Sequence, residues 1–235
     1  GNTGMLDKIL FPGRCCLCDG PGIDGMDICT TCVGDLTENA NACERCGFPL
    51  PAGQPGTATI CGRCLASRVS FDRTVSPYLY GYPVDYIVHA LKFSGEQKYA
   101  RLMGDLLARA IRRRHVEPLP QLLLPVPLHG ERFRERGFNQ STLIARYCAR
   151  HLAIPVARRV LQRIVNTAPQ TGLNRAARRS NIRRAFVLRE KPPVSHVAVV
   201  DDVMTTGSTA REIAKVLKRG GIQRVDIWVF ARTPD

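Results

Sequence analysis

The sequence predicts an α/β fold, in which a parallel sheet flanked by helices is preceded by a small cysteine-rich module. From residue 71 onward, strand-like apolar runs alternate with helical patterns, as they do in parallel sheets. Before residue 71 the chain carries four CxxC pairs, which are typical of metal sites. Near the C-terminus, an apolar run at residues 197–200 precedes two aspartates, a hydroxyl-rich turn and a helical pattern. These three features also predict two chemical sites, one in each part of the chain.

The cysteine pairs favour zinc over disulfides. Each CxxC turn presents two thiolates to one ion, and two turns complete a tetrahedral Zn²⁺ site, so eight ligands allow one or two zinc ions. The spacing leaves sequential and interleaved pairing open. Few aliphatic residues lie between residues 12 and 66, so we expect structural zinc to replace a core there. The predicted ligands are Cys15, Cys18, Cys29, Cys32, Cys43, Cys46, Cys61 and Cys64.

Two further cysteines fall outside this pattern. Cys16 neighbours Cys15 and could replace it as a ligand, although CxC spacing is less usual. Cys148 lies among apolar residues of a helical pattern, which predicts a buried core thiol. The cysteine pattern is compatible both with a module that is only a scaffold and with one that also binds nucleic acid.

The second part of the chain is predicted from its periodicity. A strand pair or extended entry is expected at residues 71–82, and buried strands are expected at 122–128 and 225–233. Amphipathic helices are expected at residues 84–93, 99–114 and 141–152.

Asp201 and Asp202 follow the apolar run at residues 197–200, which predicts a ligand site at the carboxyl end of a strand. The hydroxyl-rich turn and the following helix offer hydrogen-bond donors to a phosphate. Thr209 and Glu212 have capping-box spacing, which predicts that the helix starts there. The stretch from residue 197 to the following helix contains neither GxxxxGK[ST] nor GxGxxG, and paired carboxylates favour a sugar phosphate with Mg²⁺. The alternative is a strand end whose aspartates only cap a helix.

A second polar turn, at residues 125–141, contains Arg132, Arg134 and Arg136. Guanidinium groups bind phosphate oxygens in pairs, so we expect this turn to hold a pyrophosphate. The alternative is a solvated basic helix start. Because the helix dipole disfavours cations at a helix N-terminus, the ligand interpretation is preferred.

The chain is strongly basic. Its 235 residues contain 34 Lys and Arg against 20 Asp and Glu, for a net charge of +14. Residues 130–191 include a polar, basic segment at 166–186, for which we predict a mobile loop with a short helix. Such a surface suits a ligand with several phosphates or a nucleic-acid backbone. The sequence has no eighteen-residue apolar run and no secretory signal pattern, so we expect a cytoplasmic protein without membrane insertion.

The stretch VAVVDDVMTTGST resembles the 5-phosphoribosyl-1-pyrophosphate (PRPP) motif of type I phosphoribosyltransferases. Together with PVPLHGERFRERGFNQ, QTGLNRAARRSNIRRAF and the four CxxC pairs, it resembles the ComF/GntX family from Cys15 to Arg232. The resemblance implies a type I phosphoribosyltransferase fold behind a zinc finger. We therefore expect a zinc-binding module at residues 1–70 and a phosphoribosyltransferase-like domain at 71–235.

The resemblance also implies roles for individual residues. Asp201 and Asp202 would hold the ribose hydroxyls as the catalytic pair, and Arg132 and Arg136 would steady the pyrophosphate. Mg²⁺ would bridge the pyrophosphate and the ribose. The expected phosphate-binding residues are Val203, Met204, Thr205, Thr206, Gly207, Ser208 and Thr209.

The family's competence members act in natural transformation, whereas the GntX name carries a gluconate-utilisation label. The first hypothesis is a PRPP-binding protein that handles single-stranded DNA, with other DNA-uptake or recombination proteins as partners. The alternatives are an active phosphoribosyltransferase with an unknown acceptor and a PRPP sensor without catalysis. The residues expected to bind DNA are Arg178, Arg179, Arg183 and Arg184.

Overall fold

The computed structural model describes residues 13–51, 59–67, 69–165 and 185–234. Within these ranges, two short helices lie in the cysteine-rich part, and the remaining elements form the α/β part. The elements are α1 (Thr30–Gly34), α2 (Gly62–Ala66), β1 (Arg73–Val75), β2 (Tyr78–Leu79), α3 (Val84–Ser94), α4 (Gln97–Arg113), β3 (Leu122–Pro125), α5 (Gly130–Arg136), α6 (Gln140–Leu152), β4 (Leu161–Arg163), β5 (Phe186–Leu188), β6 (His196–Met204), α7 (Ser208–Arg219) and β7 (Arg224–Arg232).

The main sheet is parallel, with strand order β1, β7, β6, β3, and β2 also pairs with β7. The two short strands β1 and β2 therefore form one interrupted edge rather than pairing with each other. β4 and β5 form a separate antiparallel pair. The predicted parallel sheet flanked by helices and preceded by a cysteine-rich module is confirmed.

Both faces of the sheet are covered, which explains the continuous apolar runs in its central strands. Alternate residues of β6 and β7 point to opposite faces. Ala198, Val200 and Trp228 pack with α3, α4 and α6, whereas Val199 and Ile227 pack with α7 and the β4–β5 pair. Strand β6 is thereby fixed at the centre of the fold, with its carboxyl end beside the start of α7.

The first half of the cysteine-rich module packs on α4. Met26, Ile28 and Leu36 are buried in the same apolar cluster as that helix. The buried carboxylate of Asp27 accepts hydrogen bonds from Arg101 of α4, at 2.5 and 2.7 Å. The few large apolar side chains of this half of the module therefore pack against the α/β part and do not form a separate core.

The basic turn at residues 125–141 folds differently from the expectation. It contains the short helix α5, whose N-cap is His129 and whose C-cap is Gly137, and Arg134 and Arg136 lie in its last turn. The helix dipole favours cations at that end. The expectation of arginines at a disfavoured helix start is therefore wrong for these two residues. None of the helices in the described ranges combines the length and apolar character needed to cross a membrane.

Candidate functional site

The candidate site lies where β6 runs into α7. The strand continues for two residues beyond the aspartates, to Met204, and α7 begins at Ser208. Because successive side chains of a strand point to opposite faces, Asp201 and Asp202 have different surroundings. The two carboxylates are therefore held by different helices.

Asp201 faces a small cavity of about 50 Å³, which the residues from Met204 to Ala210 also line. Its Oδ1 accepts hydrogen bonds from Ser141 Oγ at 2.8 Å and from the Asp202 amide at 3.0 Å. Burial and the charge of Asp202 together raise the pKa of Asp201, and the two hydrogen bonds only partly offset this. The Asp201 carboxylate thus receives both of these hydrogen bonds on Oδ1 and can accept more from a ligand beside the loop.

Asp202 is buried and paired with Lys92 of α3, whose Nζ lies 3.0 Å from Asp202 Oδ2. The amide of Val203 donates to Asp202 Oδ1 at 2.7 Å. Burial alone would lower the pKa of Lys92, but the charge and hydrogen bond of Asp202 outweigh it and raise that pKa. Lys92 therefore remains a cation that offsets part of the charge of the acidic pair.

The loop after β6 turns sharply at Gly207, whose φ of +71° favours glycine. A Cβ atom at this position would also lie 2.9 Å from Met204 Cε. Gly207 is the N-cap of α7, so the predicted capping box of Thr209 and Glu212 is wrong. Since glycine carries no side-chain acceptor, the first amides of α7 face the loop without a cap from this residue.

Other contacts stiffen the loop from within. Thr206 Oγ1 and Ser208 Oγ lie 2.8 Å apart, and Arg211 Nη2 donates to the Thr206 carbonyl at 2.5 Å. Backbone amides, hydroxyl groups and the positive end of a twelve-residue helix thus converge at one place. This combination can bind a phosphate group.

The arginines of α5 differ in their surroundings. Arg132 is half-buried and close to Arg163 of β4, whose guanidinium also interacts with Asp201. Burial and the charge of Arg132 lower the pKa of Arg163, while the charge of Asp201 opposes them. Arg136 Nη1 instead donates to Gln140 Oε1 at 3.4 Å. Arg163 therefore interacts electrostatically with both Arg132 and Asp201, and sequence reasoning missed this residue.

Arg232 is a further residue that sequence reasoning missed. It lies at the end of β7 and is only 5% exposed. Its Nη1 donates to the Met204 carbonyl at 3.1 Å and to the Thr205 carbonyl, while its Nε donates to the Cys46 carbonyl at 3.3 Å. One side chain thereby joins the loop after β6 to the cysteine-rich module.

The cysteines form two clusters, each built from two neighbouring CxxC pairs. In each cluster the four sulfur atoms lie within 4.8 Å of one another. The sulfurs of Cys18 and Cys29, and those of Cys46 and Cys61, are 3.6 Å apart, close to the roughly 3.8 Å expected of tetrahedral zinc. The clusters fit structural zinc and resolve the pairing as sequential, namely Cys15, Cys18, Cys29, Cys32 and Cys43, Cys46, Cys61, Cys64.

The two remaining cysteines lie outside both clusters. Cys16 is half-buried, and burial raises the pKa of its thiol to about 12. Cys148 is fully buried on α6, where burial raises its thiol pKa, in agreement with the predicted core thiol. The four arginines expected to bind DNA, at positions 178, 179, 183 and 184, lie outside the described residues.

Comparison with solved structures finds partial matches at low sequence identity. The purine phosphoribosyltransferase of Pyrococcus horikoshii Ot3 is 15% identical, with a TM-score of 0.34 over 56% of this chain and 83% of that chain. The allosteric regulatory enzyme of purine biosynthesis is 17% identical, with a TM-score of 0.34 over 55% of this chain and 25% of that chain.

Sequence comparison finds much closer relatives. Residues 6–65 match the double zinc ribbon domain family. The DNA utilization protein YhgH of Salmonella typhi is 37% identical over 96% of this chain and 99% of its own length. Competence protein F of Haemophilus influenzae is 34% identical over 94% of this chain and 98% of its own length. This confirms the resemblance to the ComF/GntX family, and the chain belongs to the family of competence protein F and DNA utilization protein YhgH.

Proposed function

We propose that this protein binds PRPP at the carboxyl end of β6. The observation that carries the proposal is the position of Asp201, which faces the cavity formed by residues 204–210 while Ser141 holds its Oδ1. A fixed carboxylate beside a phosphate-binding loop matches a ligand that has both hydroxyl and phosphate groups. A sugar phosphate has this combination, and the resemblance of DDVMTTGST to the PRPP motif of type I phosphoribosyltransferases favours PRPP among sugar phosphates.

Each part of PRPP has a proposed place. Residues 203–209 wrap the 5-phosphate with amides and hydroxyls, and Asp201 and Asp202 accept hydrogen bonds from the ribose hydroxyls. Lys92 holds Asp202 in position through their 3.0 Å contact. Arg132 and Arg136 bind the pyrophosphate, and Mg²⁺ lowers its charge.

This arrangement also bears on chemistry at C1 of the ribose. As pyrophosphate leaves, C1 gains positive character and the leaving group gains negative charge. Cations around the leaving group stabilise that change, so the protein itself need not supply a nucleophile. We propose binding as the common property of this site, and pyrophosphate release in the presence of pooled bases, amines or single-stranded DNA distinguishes a transferase from a PRPP sensor.

The first prediction concerns the acidic pair. We expect Asp201→Asn and Asp202→Asn each to weaken Mg²⁺-dependent PRPP binding by about ten- to a hundredfold, because each removes a charged hydrogen-bond acceptor. Isothermal titration calorimetry measures the effect. Asp24→Asn is the matched control, since Asp24 is exposed and pairs with Arg109 on α4. Equal PRPP affinity in the wild type and both site variants contradicts the proposal.

We also propose single-stranded DNA as a ligand and natural transformation as the setting, with other DNA-uptake or recombination proteins as partners. The net charge of +14 favours a polyanionic partner. The names of the relatives, DNA utilization protein and competence protein, favour DNA. The proposed contacts include Arg178, Arg179, Arg183 and Arg184.

The second prediction tests this proposal. DNA binding is expected to depend little on sequence and to weaken with salt, with a logarithmic slope of about −0.7 per phosphate neutralised. Replacing the four arginines by alanine should lower both the affinity and the slope. Fluorescence anisotropy with a labelled single strand at several salt concentrations measures both. Affinity that is independent of salt, or that survives the fourfold substitution, argues against the DNA proposal and leaves the PRPP proposal intact.

A further inference from the structure

A larger cavity lies on the other side of the loop after β6, between that loop and the second cysteine cluster. Its volume is about 300 Å³, and Thr205, Thr206 and Gly207 form one wall. Cys46, Cys61 and the residues around them form the opposite wall. Ligand pockets commonly begin at about 300 Å³, so this cavity can hold a small organic molecule. We call it the ribbon cavity.

The charged side chains that line the ribbon cavity are all cationic. Arg63, Arg211 and Arg232 line it, and the lining residues include no Asp or Glu. The guanidinium groups of Arg63 and Arg232 lie 4.6 and 5.5 Å from the centre of the Phe48 ring, which also lines the cavity. Three guanidinium groups therefore converge on one space, which favours an anion there.

The three arginines are used differently. Arg232 is buried and donates its hydrogen bonds to protein carbonyls, so its role is structural. Four thiolates around Zn²⁺ would carry two net negative charges, and Arg232 lies against that cluster through the Cys46 carbonyl. Arg63 is exposed, and Arg211 is half-buried and uses Nη2 on the Thr206 carbonyl. Arg63 and Arg211 are therefore the cations that a ligand can reach.

The rest of the lining is apolar and partly aromatic. Phe48, Phe71, Val69 and Met204 face the cavity, and the Arg63 guanidinium lies 4.6 Å from the centre of the Phe48 ring. Such walls accommodate a flat ring, and a guanidinium plane can stack on it. A ligand that satisfies both parts of the lining has a ring body and a compact anionic group.

We propose that the ribbon cavity is a second ligand site, which binds a nucleotide through its phosphate on Arg63 and Arg211 and its base on the apolar walls. The nucleotide is either a free monophosphate or one unit of a single strand, since both present the same groups. Because Thr205, Thr206 and Gly207 also line the smaller cavity beside Asp201, occupancy of one site is expected to influence the other. The proposal does not depend on PRPP binding.

The test uses the full-length, zinc-loaded protein and calorimetric titration with thymidine monophosphate, thymidine and inorganic phosphate. We expect thymidine monophosphate to bind at least about tenfold more tightly than either fragment, and Arg63→Gln to weaken it about tenfold. Arg14→Gln is the matched control, because Arg14 is likewise exposed and adjoins a cysteine pair but lies outside the cavity. We expect Arg14→Gln to leave the affinity unchanged. Zinc content is measured for every variant.

Three outcomes overturn the proposal: no binding of thymidine monophosphate, equal loss in Arg14→Gln and Arg63→Gln, or no effect of Arg63→Gln. The last outcome would place the nucleotide on the loop beside Asp201, away from Arg63. A short thymidine oligonucleotide identifies the source of the nucleotide. An oligonucleotide affinity that falls in Arg63→Gln indicates a strand, whereas an effect limited to thymidine monophosphate indicates a free nucleotide.

Discussion

Replacing Cys61 and Cys64 together by serine is expected to remove one zinc ion per chain and to unfold residues 43–51 and 59–67. The apolar cluster around these cysteines is small and consists largely of the cysteines themselves. Structural zinc contributes on the order of 10 kcal/mol to the folding of such modules, and so few apolar side chains cannot replace it. The measured zinc content should fall from two ions per chain to one, and limited proteolysis should cut within the unfolded residues.

Unfolding of these residues is expected to destabilise the sheet as well, because the segment that carries the second cysteine cluster is hydrogen-bonded to the edge strand β1. The Thr74 amide of β1 donates to the Glu44 carbonyl at 2.8 Å, and Thr74 Oγ1 donates to the Arg45 carbonyl at 2.8 Å. Cys16→Ser is the control, since it removes a thiol beside Cys15 but outside both clusters. Folded wild-type protein without zinc, or zinc loss in Cys16→Ser, would contradict structural zinc at these clusters.

Periodicity alone predicted most elements of the α/β part. β6 and β7 are buried on both faces, so their apolar runs are continuous and easy to recognise. The pairing of the cysteines could not be predicted in the same way. Every CxxC pair has the same local geometry, and only the path of the chain between pairs decides which pairs share an ion. That path depends on contacts such as Asp27 with Arg101, which join residues far apart in sequence.

The candidate site was likewise predictable only where its residues are contiguous in sequence. The acidic pair and the hydroxyl-rich loop are contiguous in sequence, so their pattern was visible. Lys92 and Ser141 were not, because each occupies an ordinary helical position and meets its aspartate only across the fold. The capping-box expectation failed for a local reason. Gly207 turns the chain before Ser208, and the Glu212 side chain pairs with Lys215 at 2.8 Å.

Arg232 is the buried residue whose loss is expected to matter most for the loop after β6. We expect Arg232→Met to lower the free energy of unfolding by about 3 kcal/mol or more. The substitution keeps much of the side-chain volume but removes the donor from the carbonyls of Met204, Thr205 and Cys46. Each hydrogen bond from a charged group contributes about 1.5–3 kcal/mol, and buried carbonyls left unpaired add to the cost. Urea unfolding of zinc-loaded protein, followed by the fluorescence of the buried Trp228, measures the change.

Arg224→Met provides the comparison on the same strand. Arg224 lies at the opposite end of β7, and its side chain is 32% exposed and pairs with Asp226 at 3.1 Å. Asp226 also has Arg73 at 2.8 Å and His196 at 3.2 Å, so it keeps partners when Arg224 is replaced. We therefore expect Arg224→Met to cost about 1 kcal/mol or less. Equal losses in the two variants would mean that water replaces the bonds of Arg232, and that the loop and the second cysteine cluster hold their positions without this side chain.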